Sequence, residues 1–371
     1  MDQMKGYGTV ERVIMFGAAE KMVPMSGSME LLPLCNMNCD MCYVRLTRAQ
    51  MESQGRLRSG AEWLKLGREM ADAGTLFLLL TGGEPLMHPD FQEIFLGLKK
   101  MGMILTVNTN GTLIDEAWAG FFTKNKPRRI NITLYGGSNE TYEKLCHFPG
   151  GFDRVINAVK LLRQGGVDVH LGCSATPANA ANIPGLYDIA AELGVPMETD
   201  CYMLPAVRER SAPFCEQNRL LPEAAAAVRI MTRRLEMGEE RFRQYRQQML
   251  AKIDGFIPGE EMPCKGTCLA GKCSFSVNWQ GQLRPCVITT EPAANVFDRG
   301  FAECWQQISK EFGTISFCAK CSNCALRPLC SPCAVASKIE TGDYMGKPEY
   351  LCRYAAETAR LLRQMGEDSH E

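Results

Sequence analysis

Three cysteines near the start of the chain are spaced closely enough to bind one metal centre. They are Cys35, Cys39 and Cys42, and Tyr43 follows them directly. Thiolates are soft ligands that suit iron–sulfur clusters and zinc, and three of them leave one iron of a four-iron cluster open. A zinc loop is the alternative, but zinc loops usually present paired ligands, and no histidine is near enough to be the fourth. The pattern favours a cluster with an open iron.

A second set of cysteines lies towards the C-terminal end. The chain has 18 cysteines and only 4 histidines, and eleven of the cysteines lie between positions 264 and 352. In 371 residues without a secretory signal pattern, this abundance indicates metal binding more than disulfides. The spacing alone allows two interpretations, paired zinc ribbons or two iron–sulfur clusters.

The overall charge argues against two classes of partner. Lys and Arg number 41 and Asp and Glu number 42, for a net charge of −1. This balance gives no electrostatic attraction to nucleic acid or to an anionic membrane. The sequence also shows no apolar run long enough to span a bilayer. We expect a cytoplasmic protein with no nucleic-acid partner and no membrane partner.

The first two thirds of the chain alternates short apolar runs with helical patterns. The predicted strands are Met29–Leu32, Leu76–Leu80, Ile104–Asn108, Ile130–Leu134, Val167–Cys173 and Met197–Cys201. The predicted helices are Gly60–Ala73, Asp90–Lys100, Glu116–Asn125, Phe152–Gln164 and Ile183–Leu193. Repeated strand–helix units predict an α/β fold with a parallel sheet and helices outside it. Periodicity alone does not distinguish a partial barrel from an open doubly wound sheet.

Composition changes divide the chain into five predicted segments. They are an N-terminal extension 1–28, a barrel 29–221, a charged helical linker 222–259, a Cys-rich domain 260–353 and a C-terminal helix and tail 354–371. The Gly- and Pro-rich stretch Gly255–Pro263 marks the main boundary. Beyond it the periodicity fades, which predicts a small domain stabilised by metal rather than by a large apolar core.

Glycine-containing turns follow three of the predicted strands. They are Thr81–Pro85 (TGGEP), Asn108–Gly111 (NTNG) and Thr133–Gly136 (TLYG). In α/β folds the carboxyl edge of the sheet carries the chemistry, and the three-cysteine loop follows the first strand at the same edge. Paired glycines let a backbone approach a ligand closely, and a carboxylate such as Glu84 suits an ammonium group.

The three-cysteine loop followed by Tyr43 resembles the signature of the radical S-adenosylmethionine (SAM) superfamily, and Gly82–Pro85 resembles its GGEP motif. The resemblance covers about Met29–Tyr202 and implies a partial (β/α)6 TIM-like barrel. It implies a 4Fe–4S cluster on the three thiolates whose open iron binds the methionine part of SAM. Reductive cleavage of SAM would then give a 5′-deoxyadenosyl radical that removes a hydrogen atom from the substrate.

The resemblance also implies which residues contact SAM. They are Tyr43, Gly82, Gly83, Glu84, Pro85, Asn110 and Thr133. Thr133 stands where relatives often carry serine. A cation is expected to face the SAM carboxylate, and Arg154, Arg208 and Arg210 are the candidates between which the sequence does not decide. A small electron donor such as flavodoxin or ferredoxin is the expected redox partner.

The C-terminal cysteines resemble the SPASM extension, which holds two auxiliary 4Fe–4S clusters. The resemblance assigns Cys268, Cys273, Cys286 and Cys333 to the first and Cys321, Cys324, Cys330 and Cys352 to the second. This chain departs from the pattern in having two residues, not three, between Cys330 and Cys333, and an additional Cys318. Cys264 and Cys304 stay unassigned, and a buried thiol is the simplest role for Cys304. Three cubanes would give about twelve irons per chain.

SPASM-type relatives mostly act on peptides or proteins, so we predict a peptide maturase that installs a thioether or related crosslink in a ribosomally made peptide. Peptide epimerisation is an alternative, for which Cys173, Cys201 and Cys215 are candidate hydrogen donors, although packing is the simpler role of each. Anaerobic sulfatase maturation is another. A non-catalytic iron–sulfur electron carrier is the alternative from a different class, and the open-iron loop argues against it.

Substrate recognition leaves two expectations. Only 34 residues precede Cys35, too few for a fused leader-binding domain. We therefore expect either a separate leader-binding protein or recognition of the peptide by the C-terminal region.

Overall fold

The computed structural model describes residues 8–204, 218–260 and 268–367. In these ranges the strands are β1 Ser26–Glu30, β2 Phe77–Thr81, β3 Ile104–Thr109, β4 Arg129–Thr133, β5 Val169–Ser174, β6 Met197–Asp200, β7 Ser274–Val277, β8 Gln282–Arg284 and β9 Ala294–Asn295. They form one sheet in the order β6-β5-β4-β3-β2-β1-β7-β8-β9. Neighbours from β6 to β7 pair in parallel, whereas β7, β8 and β9 pair antiparallel. The sheet stays open, because its two end strands are not each other's neighbours.

Helices follow most strands and cover one face of the sheet. Those of the first two thirds are α1 Thr9–Glu20, α2 Arg48–Gln54, α3 Gly60–Asp72, α4 Phe91–Lys100, α5 Glu116–Lys124, α6 Asn139–Cys146, α7 Gly151–Gln164 and α8 Ile183–Glu192. Those of the last third are α9 Pro222–Met237, α10 Glu239–Asp254, α11 Val296–Arg299, α12 Phe301–Gly313, α13 Ala319–Ser322, α14 Ala334–Thr341 and α15 Glu349–Glu367. The predicted α/β fold with an open, partial TIM-like barrel is confirmed.

Alternating burial separates the two faces of the central strands. In β3 and β4, Leu105, Val107, Ile130 and Ile132 are buried, while the residues between them are half-buried. The buried residues pack against helices whose aromatic rings include Phe122. Each large apolar side chain that folding buries contributes roughly 1.5–3 kcal/mol. The other face lines the concave interior of the barrel, above which the site is built.

The first strand was predicted at Met29–Leu32 but is observed at Ser26–Glu30. It begins three residues earlier than predicted and ends two residues earlier. The sequence misleads here because Leu31 and Leu32 are fully buried although they lie beyond the strand. Burial of an apolar run therefore does not fix the end of a strand. The predicted helical linker 222–259 contains two helices, α9 and α10, because Gly238 between them takes a positive φ of 74°.

The C-terminal region shares the main core instead of depending on metal alone. Strand β7 pairs in parallel with β1, and Ser28 Oγ lies 2.9 Å from Ser276 Oγ across that pair. Phe275, Phe301 and Trp305 pack into the same apolar cluster as the barrel residues. The expected core-poor domain after position 260 therefore differs from the structure in its first part. No helix in the described residues is long and apolar enough to cross a membrane.

Candidate active site

The three-cysteine loop, residues 31–46, leaves the carboxyl end of β1 and is fastened to the end of β2. Leu31 N–H donates to Thr81 O at 2.9 Å, and Gly83 N–H donates to Leu32 O at 2.7 Å. A Cβ placed on Gly83 would lie 2.2 Å from Leu34 O. Gly82, with φ of 148°, would bring a Cβ within 2.5 Å of Leu32 O. The two glycines are therefore required where one backbone lies directly on another.

Backbone N–H groups point at the sulfurs inside this loop. Met37 N–H donates to Cys35 Sγ at 3.4 Å, and Arg45 N–H donates to Cys42 Sγ at 3.3 Å. Cys42 N–H closes a turn onto Cys39 O at 3.0 Å. Such donors stabilise negative charge on sulfur, which is the form that binds metal. All three cysteines are half-buried, so the loop offers its thiols to a site partly shielded from water.

The surroundings of Cys35 favour its protonated thiol. Burial raises the pKa of Cys35 to about 12, and the nearby Glu84, Cys42 and Cys39 raise it further, against the opposing Met37 hydrogen bond. A metal centre must therefore displace protons as it binds. Three thiols with N–H donors aimed at two of them fit a four-iron cluster that keeps one iron open.

Asn110, predicted to contact SAM, also holds the first cysteine. Its side-chain Nδ2 lies 3.6 Å from Cys35 Sγ and donates to Asn36 Oδ1 at 2.8 Å. Its Oδ1 accepts from Thr112 N and Oγ1 at 2.9 and 2.7 Å, and Asn36 Nδ2 donates to Thr112 Oγ1 at 2.8 Å. The sequence analysis did not identify Asn36 and Thr112, although Thr112 directly follows the NTNG turn. The network orients Cys35 from the end of β3, which is separated from β1 by β2 in the sheet.

Glu84 is fully buried, and its side chain accepts three hydrogen bonds. Its carboxylate accepts from Thr109 Oγ1 at 2.8 Å, Asn110 N at 2.7 Å and Leu86 N at 3.0 Å. Burial raises the pKa of this carboxyl to about 7, although the three donors oppose the rise. The carboxylate ties the end of β2 to the end of β3. Its contact with the ammonium group of SAM stays a prediction.

The remaining residues predicted to contact SAM lie around the same edge. Pro85 is buried in a short 3-10 turn, and Tyr43 packs against the core. Thr133 ends β4, and its carbonyl accepts from Tyr142 Oη at 3.2 Å. Arg154 is exposed on α7, 5.4 Å from the centre of the Phe148 ring. Arg208 and Arg210 lie outside the described residues, so the cationic partner of the carboxylate stays unassigned.

The concave face of the barrel is polar. Asn131 Nδ2 donates to Asn108 Oδ1 at 2.7 Å, and Arg129 Nη1 lies 3.0 Å from His170 Nδ1. Gly172, between them and the carboxyl edge, has open space where a Cβ would be. A substrate with several hydrogen-bonding groups therefore suits this interior better than an apolar one.

Two of the three candidate hydrogen donors face away from this interior. Cys173 shares the buried, helix-facing side of β5 with Val169 and Leu171, and it accepts a hydrogen bond from Asn179 Nδ2 at 3.5 Å. Cys201 packs beside α9, with its Sγ 3.5 Å from Thr232 Oγ1. Both are therefore packing residues. The third candidate, Cys215, lies outside the described residues.

The C-terminal cysteines form two neighbourhoods. In the first, burial raises the pKa of Cys286 to about 11 and the nearby Cys333 and Cys268 add to it, while Cys273 also lies near Cys268. In the second, burial raises the pKa of Cys330 to about 12, with Cys352 and Cys324 adding to it. The assignment of these cysteines to two clusters, which the SPASM resemblance implies, stays a prediction.

Two further cysteines can be placed. Cys318 belongs to the second neighbourhood, because after burial it is the main influence that raises the pKa of Cys321. Cys304 is fully buried and donates its S–H to Asn295 O at 3.3 Å, so it is a packed thiol as expected. Cys264 lies outside the described residues. Across the described ranges, no three His, Cys, Asp or Glu side chains gather closely enough to hold a single metal ion.

Part of the chain matches the model of a known superfamily, and most of the chain aligns with known proteins. Residues 29–188 match the model of the Radical SAM superfamily. The chain is 26% identical over 345 residues to the AdoMet-dependent heme synthase of Methanosarcina barkeri, which covers 88% of this chain and 95% of that protein. It is 23% identical over 315 residues to the PqqA peptide cyclase of Granulibacter bethesdensis, with coverage of 82% and 81%.

A solved structure shows the same fold. The structure of anSMEcpe with bound AdoMet and the Kp18Cys peptide matches with a TM-score of 0.67 at 19% identity, over 94% of this chain and 100% of that chain. At this identity the match establishes the arrangement of strands and helices.

Proposed function

The chain belongs to the radical SAM superfamily, in its SPASM-type branch, and on this basis we propose that it cleaves SAM reductively and removes a hydrogen atom from a peptide or protein. The observation that carries the proposal is the loop of Cys35, Cys39 and Cys42, fastened to the Gly82–Gly83 turn at the carboxyl edge of the sheet.

Each residue of the site has a role that its contacts support. When bound, a 4Fe–4S cluster and SAM supply the electron and the 5′-deoxyadenosyl radical. The Asn110 amide orients Cys35. The close contact of Gly82 and Gly83 with the loop backbone fixes the distance between the loop and the end of β2. Glu84 joins the glycine turn after β2 to the end of β3. It thereby fixes the position of these two segments of the proposed SAM pocket relative to each other. Fixed positions of this kind reduce the reorganisation that the reaction requires.

A peptide is the substrate class that we favour. The PqqA peptide cyclase is similar to this chain over most of both sequences, and the polar interior of the barrel offers donors and acceptors to a peptide backbone. Within this class we propose a thioether or related crosslink. Epimerisation has less support, because Cys173 and Cys201 are packed on the far side of their strands.

A step of heme synthesis is the second candidate. The heme synthase of Methanosarcina barkeri aligns with 88% of this chain and with 95% of its own length. The two candidates share SAM cleavage and differ in the molecule that loses the hydrogen atom.

We further propose that the two C-terminal neighbourhoods hold auxiliary 4Fe–4S clusters. The first neighbourhood groups four thiols and the second five, enough for one cluster each, and such clusters would accept the electron that an oxidative crosslink releases. A small electron donor such as flavodoxin or ferredoxin and a separate leader-binding protein complete the proposed partners.

The proposal is tested by counting 5′-deoxyadenosine when reconstituted protein is incubated with SAM and a strong reductant without oxygen. We expect Cys35→Ala to abolish the product, because the cluster loses one of three ligands. Cys304→Ala removes a buried thiol remote from the loop and is expected to keep it. Equal product from wild type and Cys35→Ala would contradict the assignment.

The substrate class is decided in the same assay. Candidate precursor peptides and iron tetrapyrroles are each added, and mass spectrometry follows the change in mass of each. Product formation that rises only with a peptide supports the maturase. A rise only with a tetrapyrrole would favour the second candidate.

A further inference from the structure

The middle of the three-cysteine loop is held at Asp40, which directly follows Cys39. The Asp40 N–H donates to Leu145 O at 3.1 Å, near the end of α6. Its side-chain Oδ1 lies 2.7 Å from Nε2 of His147, the residue that ends that helix. Its carbonyl accepts from Asn218 Nδ2 at 2.7 Å. Two separate parts of the fold, α6 and the residues around position 218, therefore meet at the backbone next to Cys39.

Asn218 begins a short segment, residues 218–220, that also contacts the C-terminal helices, and we call it the linking segment. Its second residue, Arg219, donates from Nη2 to Glu340 Oε1 of α14 at 3.0 Å, and both side chains are only 12% exposed. The guanidinium carbon of Arg219 lies 3.4 Å from the centre of the Tyr350 ring on α15. A guanidinium is attracted both by an aromatic face and by a carboxylate. Arg219 is therefore fixed on two helices at once.

The third residue of the linking segment is fixed on α15 as well. Tyr350 Oη donates to Leu220 O at 2.7 Å, and Leu220 is buried in an apolar cluster with Tyr354. The rings of Tyr350 and Tyr354 also contact the ring of Tyr202, which follows β6, at distances between ring centres of 6.2 and 4.9 Å. The linking segment is thus fixed to α15, and α15 to the end of the barrel.

We propose that Asn218 and Arg219 are positioning residues for the three-cysteine loop. Arg219 fixes the linking segment on α14 and α15, and Asn218 transfers this position to the backbone beside Cys39. Consecutive Cα atoms are held about 3.8 Å apart, so a fixed Arg219 leaves its neighbour little range. The helix that carries Tyr350 also carries Cys352, a predicted ligand of the second neighbourhood. For its effect on SAM cleavage the inference rests on the proposed function.

The test is hydrogen exchange of the loop amides in anaerobically reconstituted protein, read by mass spectrometry of peptides that cover residues 36–46. We expect Asn218→Ala to speed this exchange about 3- to 10-fold, because the loop loses one hydrogen bond. Arg219→Ala changes a side chain that contacts α14 and α15, and it is expected to speed exchange of the same loop amides. The double variant should exchange no faster than the faster single variant, because both changes remove one shared constraint.

Arg353→Ala is the matched control. It removes an arginine of the same helix α15, which pairs with Glu223 at 2.7 Å, and loop exchange should equal that of the wild type. Tyr350→Phe keeps the ring beside Arg219 and removes the hydrogen bond to Leu220 O, so it should speed loop exchange to a smaller extent than the alanine variants. If Arg219→Ala does not fold, Tyr350→Phe takes its place, alone and in the double variant.

Two results would overturn the inference. One is loop exchange in Arg219→Ala equal to that of the wild type. The other is a double variant whose acceleration is the product of the two single accelerations, which would make the two contacts independent. With the proposed function in force, both single variants also form 5′-deoxyadenosine more slowly at unchanged iron content. Failure of the proposed function looks different, because the wild type would then form no 5′-deoxyadenosine while the exchange pattern of the loop amides stayed as expected.

Discussion

The three-cysteine loop and the second C-terminal neighbourhood both gather thiols, but different forces hold them. The loop is fastened by backbone hydrogen bonds to β2 and to α6, elements distant in sequence. In the C-terminal stretch, Cys321 N–H donates to Cys318 O at 2.9 Å and Cys330 N–H donates to Leu326 O at 3.1 Å, each within one turn of the chain. The fold therefore prepares the first site, whereas the proposed second site would depend more on the metal that it binds.

The first C-terminal neighbourhood is intermediate between these two. Cys273 directly precedes β7, and Cys286 follows the antiparallel partner β8, so the sheet brings them together. Cys333 caps α14, where its sulfur accepts from Ala336 N at 3.5 Å. Anchoring by regular elements decreases from the loop to the first neighbourhood and then to the second.

The largest expected effect comes from Gly83→Ala, which tests how firmly the fold prepares the loop. The new Cβ would lie 2.2 Å from Leu34 O, so the loop must shift by about 1 Å. We expect loss of about four irons and a fall in SAM cleavage of about 100-fold or more. Iron analysis and 5′-deoxyadenosine counts measure both.

Gly120→Ala is the matched control for this variant. Gly120 lies in α5, and a Cβ there meets nothing within 4 Å. It is expected to keep iron and activity and to stabilise the helix by roughly 0.5–1 kcal/mol. Normal iron and normal rate in Gly83→Ala would show that the loop is not fixed by this contact.

A smaller effect, on iron content, is expected from replacing cysteines of the second neighbourhood, and it distinguishes ligands from non-ligands among them. Cys324→Ala should reduce the iron content from about twelve to about eight per chain, because one cubane loses a ligand. Cys318→Ala should leave the iron unchanged, since the SPASM resemblance assigns it no cluster. Both are measured by iron analysis with Mössbauer spectroscopy. The reverse outcome would make Cys318 the ligand in place of Cys324.

The smallest effect concerns the buried Glu84. Its pKa is raised from 4.5 to about 7, so the folded state holds a proton that the unfolded state releases. The free energy of unfolding should therefore fall as pH rises from about 4.5 to about 7, by about 3 kcal/mol at most, and then level off. Glu84→Gln lacks this titration, so its stability should show less decline over that range.

Chemical unfolding of the iron-free protein at pH 5 and pH 8 measures this difference. Comparing the slopes, not the absolute stabilities, removes the change in hydrogen bonding that the amide introduces. Parallel pH profiles for the wild type and Glu84→Gln would contradict the raised pKa.

Strands and motifs formed by residues close together in the sequence could be predicted, whereas contacts between residues far apart in the sequence could not. The strand Ile104–Asn108 is one residue short of β3, and the cysteine and glycine motifs were recognised because their members are adjacent. The docking of α6 was not predicted, since His147 and Asp40 are 107 positions apart and the polar sequence of α6 gives a weak helical pattern. Contacts of this separation leave no periodic signal in a single sequence.

The pairing of β1 with β7 has a consequence for synthesis of the chain. The two strands meet across a separation of 248 residues. At about 5–20 residues per second, a ribosome needs roughly 12–50 seconds to make that stretch. Throughout this interval the outer edge of β1 has unpaired backbone groups, the kind of surface that other chains can add to. The nascent barrel must therefore remain unaggregated until its last third emerges.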